Sequence, residues 1–124
     1  MSDTSEIVAL MNANLFDVFN EPDEQRRATA IARTYAPDVE WTDAEGVSTG
    51  REALSAKATT LIGTLAGLEF SADGPVHELP GFGYLAWTLA PPGGEVVVSG
   101  FDVASIKDGL IAALYTVVTK APQG

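Results

Sequence analysis

The chain has no cysteine and a single histidine, His77. Without thiols there is no disulfide framework, no thiolate nucleophile and no cysteine-ligated zinc, and one imidazole does not build a zinc site alone. Positive charge is also scarce. Seven Lys and Arg stand against 17 Asp and Glu, for a formal charge of −10. A field of that sign repels phosphate backbones and anionic lipid surfaces, and the basic cluster Arg26, Arg27 and Arg33 lies among Asp23 and Glu24. Neither nucleic acid nor a membrane is expected as a partner. Apolar runs are interrupted well before they could span a bilayer. The first six residues are acidic where a secretory leader would be basic, so the cytoplasm is the expected location. No phosphate-cradling glycine motif occurs, because Gly81/Gly83 and Gly93-Gly94 have turn explanations. Metal and cofactor are both expected to be absent.

What remains is an apolar chain of one-domain length, 124 residues with 46% hydrophobic content, enough for a core without staples. Asp3 with Glu6 has the spacing of a capping box. Ile7, Met11, Leu15 and Val18 then recur at helical spacing, widened by Val8, Leu10 and Phe19. Asn20 to Asp23 forms a corner, with Pro22 near the first position of a second helix whose inward residues are Ala28, Ile31, Ala32 and Tyr35, ended by Pro37. Val39, Trp41 and Asp43 share one face of a strand, Gly46 turns it, and Val47-Ser48 returns. Thr49-Gly50-Arg51-Glu52 reads as a capping box for a third helix burying Leu54, Ala58, Leu61, Ile62 and Leu65, with Gly67 as its stop. From Leu68 the pattern is strand: 68–72 and 76–79 around an Asp73-Gly74-Pro75 kink, then 82–90, 95–106 and 110–119. Lys107-Asp108-Gly109 is the last hairpin turn, and residues 121–124 are a tail. Helices first and a strand meander afterwards define the α+β class, and a curved sheet around a helix leaves a cone whose open end is a ligand site.

Between Gly81 and Ser105 only Glu95 and Asp102 carry charge, and Glu95 adjoins a turn. Asp102 stands in the middle of an apolar strand, beside the small Gly100 and Ala104 on the same face. Burying a lone carboxylate costs several kcal/mol unless it is paired, hydrogen-bonded or protonated. Either Asp102 faces the cavity, or it faces solvent or bonds to Ser99, Ser105 or a neighbouring strand. Asp43 shares the face of Trp41 but sits at a strand end, where acids also cap turns. Trp41 and Trp87 are core or wall. Tyr84 falls opposite Trp87, Tyr35 and Tyr115 read as core or rim, and His77 as an exposed corner.

Several segments resemble SnoaL-like members of the nuclear transport factor 2-like (NTF2-like) superfamily. They are Phe19-Asn20-Glu21-Pro22-Asp23, residues 31–39, Asp43-Ala44-Glu45-Gly46 with Gly50-Arg51-Glu52-Ala53-Leu54, and residues 87–94 leading to Gly100-Phe101-Asp102. Together they cover nearly the whole chain in order. The resemblance implies a cone of three N-terminal helices packed on a curved antiparallel sheet around an apolar pocket. That superfamily holds polyketide cyclases, ketosteroid isomerases, epoxide hydrolases, dehydratases and noncatalytic binding domains, so the fold leaves the function open. Set against ketosteroid isomerase, Asp43 falls on the general base and Asp102 on the protonated aspartate that donates a hydrogen bond; the resemblance to SnoaL-type cyclases, which also use an aspartate acid/base, makes Asp102 the candidate for that role. The isomerase's helix-one tyrosine falls on Leu15, with Phe16 beside it, so half of that oxyanion hole is missing.

The expectation is a cofactor-independent isomerase, cyclase or lyase acting on an apolar carbonyl compound. In it Asp43 removes a proton, a neutral Asp102 donates to the enolate, and Leu15, Phe19, Trp41, Leu85, Trp87 and Leu89 form the wall. The alternative is a noncatalytic ligand-binding or dimerisation domain whose acids cap turns. Epoxide hydrolysis would need a basic or polar partner beside the acids, and none is visible on these strands. The resemblance also implies a homodimer through the open sheet face, burying Val97, Phe101 and Val103.

Overall fold

The computed structural model describes residues 2–121. Its first helix, α1 (Ser2–Asn12), runs on into a π-helical segment, Ala13–Phe19. Ile7, Leu10, Met11, Leu15, Val18 and Phe19 are buried along it. Asp3 lies inside α1 instead of capping it, and its side chain is outside the described residues. The corner is tied down by Asn20, whose amide donates to the Phe70 carbonyl (2.9 Å) and accepts from the Phe70 N–H (2.7 Å).

Helix α2 (Glu24–Thr34) starts two residues beyond Pro22, because Asp23 is the cap. Its carboxylate accepts the Gln25 and Arg26 N–H groups at 2.9 and 3.1 Å. The buried face is Arg27, Ala30, Ile31 and Thr34, whereas Ala28 and Ala32 are exposed. Alanine is small enough to be indifferent to that choice. Arg27 tolerates burial because its guanidinium donates to the Glu21 carbonyl (2.7 Å) and the Thr59 hydroxyl (2.9 Å). The helix ends at Thr34, so Tyr35 opens the first strand and Pro37 lies within it, not at the helix terminus.

Strand β1 (Tyr35–Asp43) pairs with β2 (Gly46–Thr49) in a tight hairpin. Helix α3 (Arg51–Thr64) begins at Gly50, whose φ of 93° places it in the left-handed region; Thr49 makes no side-chain cap. Only Leu54 and Ala58 are fully buried on α3, with Leu61 and Leu65 packed partly against the core. Strands β3 (Glu69–Ala72) and β4 (His77–Leu79) both run antiparallel to β5 (Phe82–Ala90), as one edge interrupted at the expected kink. Strand β6 begins at Val98, three residues later than expected, and extends to Lys107; β7 is Leu110–Lys120. Their two-residue turn holds Asp108 and Gly109 at φ of 55° and 78°, the left-handed pair that matches strand twist.

The sheet order is β2-β1-β7-β6-β5-β3, with β4 also on β5. It is antiparallel except where β1 meets β7 in parallel, which carries the N-terminal hairpin across to the chain's last strand. This is the α+β cone: three helices against a curved, unclosed sheet. Gly83 lets α1 close down on β5, since a Cβ there would stand 2.8 Å from the Met11 side chain. Among the described residues no helix is long and apolar enough to cross a membrane.

Candidate active site

Alternation on β5, β6 and β1 aims Trp87, Asp102 and Trp41 at the concave face, and all three are buried. Asp102 is 4% exposed, so its carboxylate must be satisfied from within the protein. It is. Oδ1 accepts the indole N–H of Trp87 at 3.1 Å and the hydroxyl of Thr116 at 2.9 Å, and Oδ2 accepts the Asn14 amide N–H at 2.7 Å. Two of these donors are held in one sense by a further contact. The Trp41 indole N–H donates to Thr116 Oγ1 (3.0 Å), so the one hydroxyl proton of Thr116 turns to Asp102. The Tyr35 hydroxyl donates to Asn14 Oδ1, which turns the amide NH2 toward the carboxylate. Burial, with the nearby charge of Asp102, pushes the Tyr35 phenol well above its ordinary range and keeps it a donor.

Three donors and no acceptor surround Asp102, a set that fits the ionised carboxylate. Burial nonetheless raises its pKa from 3.8 to about 6, the hydrogen bonds from Thr116, Trp87 and Asn14 opposing that rise. Oδ2, with one bond, keeps a lone-pair position for a substrate proton. Because the folded-state value lies above the unfolded one, the folded chain binds this proton more tightly. The associated stability is complete below about pH 3.8 and is lost as pH rises through about 6. The shift corresponds to about 3 kcal/mol, a loss the D102N protein should lack. Urea unfolding of both proteins at pH 4 and pH 7 measures the difference; equal pH dependence would place the Asp102 carboxyl in an ordinary aqueous environment.

Around this group lies a cavity of about 450 Å3. Of the expected wall, Leu15, Phe19, Trp41, Trp87 and Leu89 line it. Leu85 does not: it shares the concave face with its cross-strand partner Asp102 but is buried within the core and absent from the cavity wall. Phe70 adds a ring that sequence pattern did not single out. Trp41, Phe19, Phe70 and Trp87 form a continuous row with ring centroids 5.2, 6.2 and 5.2 Å apart.

Asp43 reaches the same cavity but at its mouth. Oδ1 accepts the Glu45 N–H at 2.9 Å, the turn cap foreseen as one alternative, while Oδ2 is 2.6 Å from the Lys57 ammonium. Lys57 is also the basic partner that no strand provided. It comes from α3 and its ammonium stands 4.8 Å from the centre of the Trp41 ring.

A family model of the SnoaL-like domain matches residues 13–114. The chain belongs to the SnoaL-like family. Among solved structures, a candidate isomerase of that family from Agrobacterium tumefaciens superposes with a TM-score of 0.85 at 22% identity, over 92% of this chain and 97% of that one. A candidate SnoaL-like polyketide cyclase from Jannaschia gives 0.70 at 16% identity (91% and 88% covered). A candidate ketosteroid isomerase from Kribbella flavida gives 0.69 at 18% (98% and 84%). At these identities the likeness shows the fold. No curated protein matches the chain.

Within this SnoaL-like domain, four residues of the network escaped the sequence reading: Asn14, Tyr35 as a donor, Lys57 and Thr116. Asn14 carried a legible signal, since it interrupts the apolar stripe at the inward position between Met11 and Leu15. Among the described residues no buried side-chain nitrogen or oxygen lacks a partner, so the polar cluster is complete as built.

Proposed function

We propose that this SnoaL-like domain is a cofactor-independent enzyme of the isomerase, cyclase or lyase type, acting in the cytoplasm on an apolar carbonyl compound. The observation that carries the reading is Asp102: a buried carboxylate with a pKa of about 6, held by three donors and facing an aromatic cavity. A base poised near neutrality, with one lone-pair position open, is suited to removing a proton next to a carbonyl. Asp102 is therefore the base. The leading sequence expectation had Asp43 as base and Asp102 as a neutral donor, while the cyclase resemblance already put an acid/base role on Asp102. Asp43 is instead engaged by Lys57 and the Glu45 N–H, and Asp102 is surrounded by groups that need an acceptor.

Enolisation can be followed without knowing the natural product. In D2O, 2-acetylnaphthalene exchanges its methyl protons through the enolate, and mass spectrometry counts them. The wild-type protein should accelerate exchange and D102N should not. Exchange at the buffer rate with wild-type protein would leave the domain as a noncatalytic ligand binder.

The outer sheet face supports a homodimer as part of the same reading. Tyr115 and Val117 are exposed there at 46% and 42%, beside Phe101, whose ring lies 5.3 Å from that of Tyr84. Sedimentation at micromolar concentration should give the dimer mass, and F101D should halve it. A wild-type monomer removes this part of the proposal.

A further inference from the structure

We infer that Lys57 is the residue that selects the ligand, its ammonium taking the oxygen of a neutral carbonyl compound whose apolar body lies along the aromatic row. The inference rests on Asp102 acting as the base and supplies the charge that such a base needs opposite it. Among the described residues Lys57 is the one cation lining the cavity. Its side chain is 23% exposed and is stationed from two sides, by Asp43 at 2.6 Å and by the Trp41 ring face. Glu45 Oε1 stands at 4.0 Å, beyond hydrogen-bond reach. An ammonium carries three N–H donors, and Asp43 uses one.

Trp41 is what relates this charge to the base. Its ring face lies under the Lys57 ammonium, and its indole N–H, at the edge of the same ring, reaches Thr116 and through it Asp102. Both residues line the one cavity, so a planar ketone held in it is taken to present its oxygen to Lys57 and its α-hydrogen to Asp102. The step balances within those groups. Asp102 Oδ2 takes the α-proton, the C–H pair becomes the C=C bond, and the carbonyl π pair moves onto oxygen, where the free Lys57 N–H groups receive it. Return of the proton to that carbon gives exchange, and return to a conjugated carbon gives isomerisation. No oxidant or reductant enters.

Charge also fixes the class of ligand. Asp43, Glu45 and Asp102 outnumber Lys57 around the cavity, so a permanent anion is repelled. A neutral ketone is not, and its negative charge develops only in the transition state, where Lys57 then acts. Asp43 is a positioning residue in this scheme, working through Lys57.

The two tryptophans give two indole N–H signals in a 15N spectrum, one from each side of the site. Titrating with 2-acetylnaphthalene and with 2-ethylnaphthalene, of like shape without the oxygen, reads the contribution of the carbonyl. Wild-type protein should prefer the ketone by about tenfold, the lower range for a hydrogen bond to a charged donor. K57M should abolish that preference, K57R should keep it, and naphthalene-2-carboxylate should bind more weakly than the ketone. Dispersed spectra establish that both variants are folded. A ketone preference that persists in K57M, or tighter binding of the carboxylate, overturns the inference while leaving Asp102-dependent exchange intact. If no probe moves either indole signal in wild-type protein, the inference and the catalytic reading fall together.

Discussion

Exchange of the methyl protons of 2-acetylnaphthalene should slow by about 1,000-fold in D102N, the middle of the range for losing a positioned general base. The asparagine preserves size but offers no lone pair basic enough to take a carbon-bound proton. It also brings an NH2 group into a site already served by three donors, so Asn14 or Thr116 must turn away. The pH dependence separates a chemical from a structural loss. A base must be unprotonated, so the wild-type rate should rise with pH through a midpoint near 6 and then level off. D102N should show no such midpoint. D43N should cost far less, about tenfold, because the carboxylate it removes acts by holding Lys57 and not by touching the reacting carbon. Equal losses in D43N and D102N would return Asp43 to the role of base.

Asp102 could be found in the sequence because a lone acid in an apolar strand is costly wherever it is buried. Its partners were hidden for separate reasons. Thr116 depends on a register that no pattern displays. From the turn at Asp108-Gly109, an undistorted hairpin would set Tyr115 opposite Asp102. Strand β7 carries one extra residue between the pairs Ile106↔Ile111 and Ser105↔Ala113, and this bulge brings Thr116 inward and turns Tyr115 out to solvent. The expectation that Tyr115 is core or rim failed on that single residue. Lys57 was passed over because an isolated lysine on an amphipathic helix ordinarily points to water. Here it lies between Leu54 and Leu61, close enough to the buried stripe for its ammonium to sit over the Trp41 ring. Asn14 stands at an inward position of the helical stripe, between Met11 and Leu15, but nothing local names its partner, an acid 88 residues away in the chain. Element order survived all of this. It rests on turn chemistry and alternation, which are local, whereas the site rests on register and on contacts made across the cavity.

Two glycine-to-alanine changes should move stability in opposite directions, and the contrast isolates how tightly the floor of the site is packed. Gly63 lies in the last turn of α3, and a Cβ there meets nothing within 4 Å. G63A should stabilise the chain by about 1 kcal/mol, the difference in helix propensity and unfolded-chain entropy. Gly100 is on the concave face of β6, where a Cβ would stand 2.2 Å from the Val117 carbonyl oxygen and 2.8 Å from the Trp87 ring. Backbone cannot yield as a flexible side chain can, so G100A must open the β6–β7 ladder or displace Trp87. Overpacking of this kind costs about 3 kcal/mol, or about 10 °C in Tm for a domain of this size. The displaced Trp87 is the residue that donates to Asp102 Oδ1, so the damage extends beyond stability. The Trp87 indole signal in G100A should shift away from its hydrogen-bonded position while the signal of Trp41, held through Thr116, moves less. A G100A protein with unchanged Tm and an unmoved Trp87 signal would mean that β6 and β7 are looser than their spacing implies.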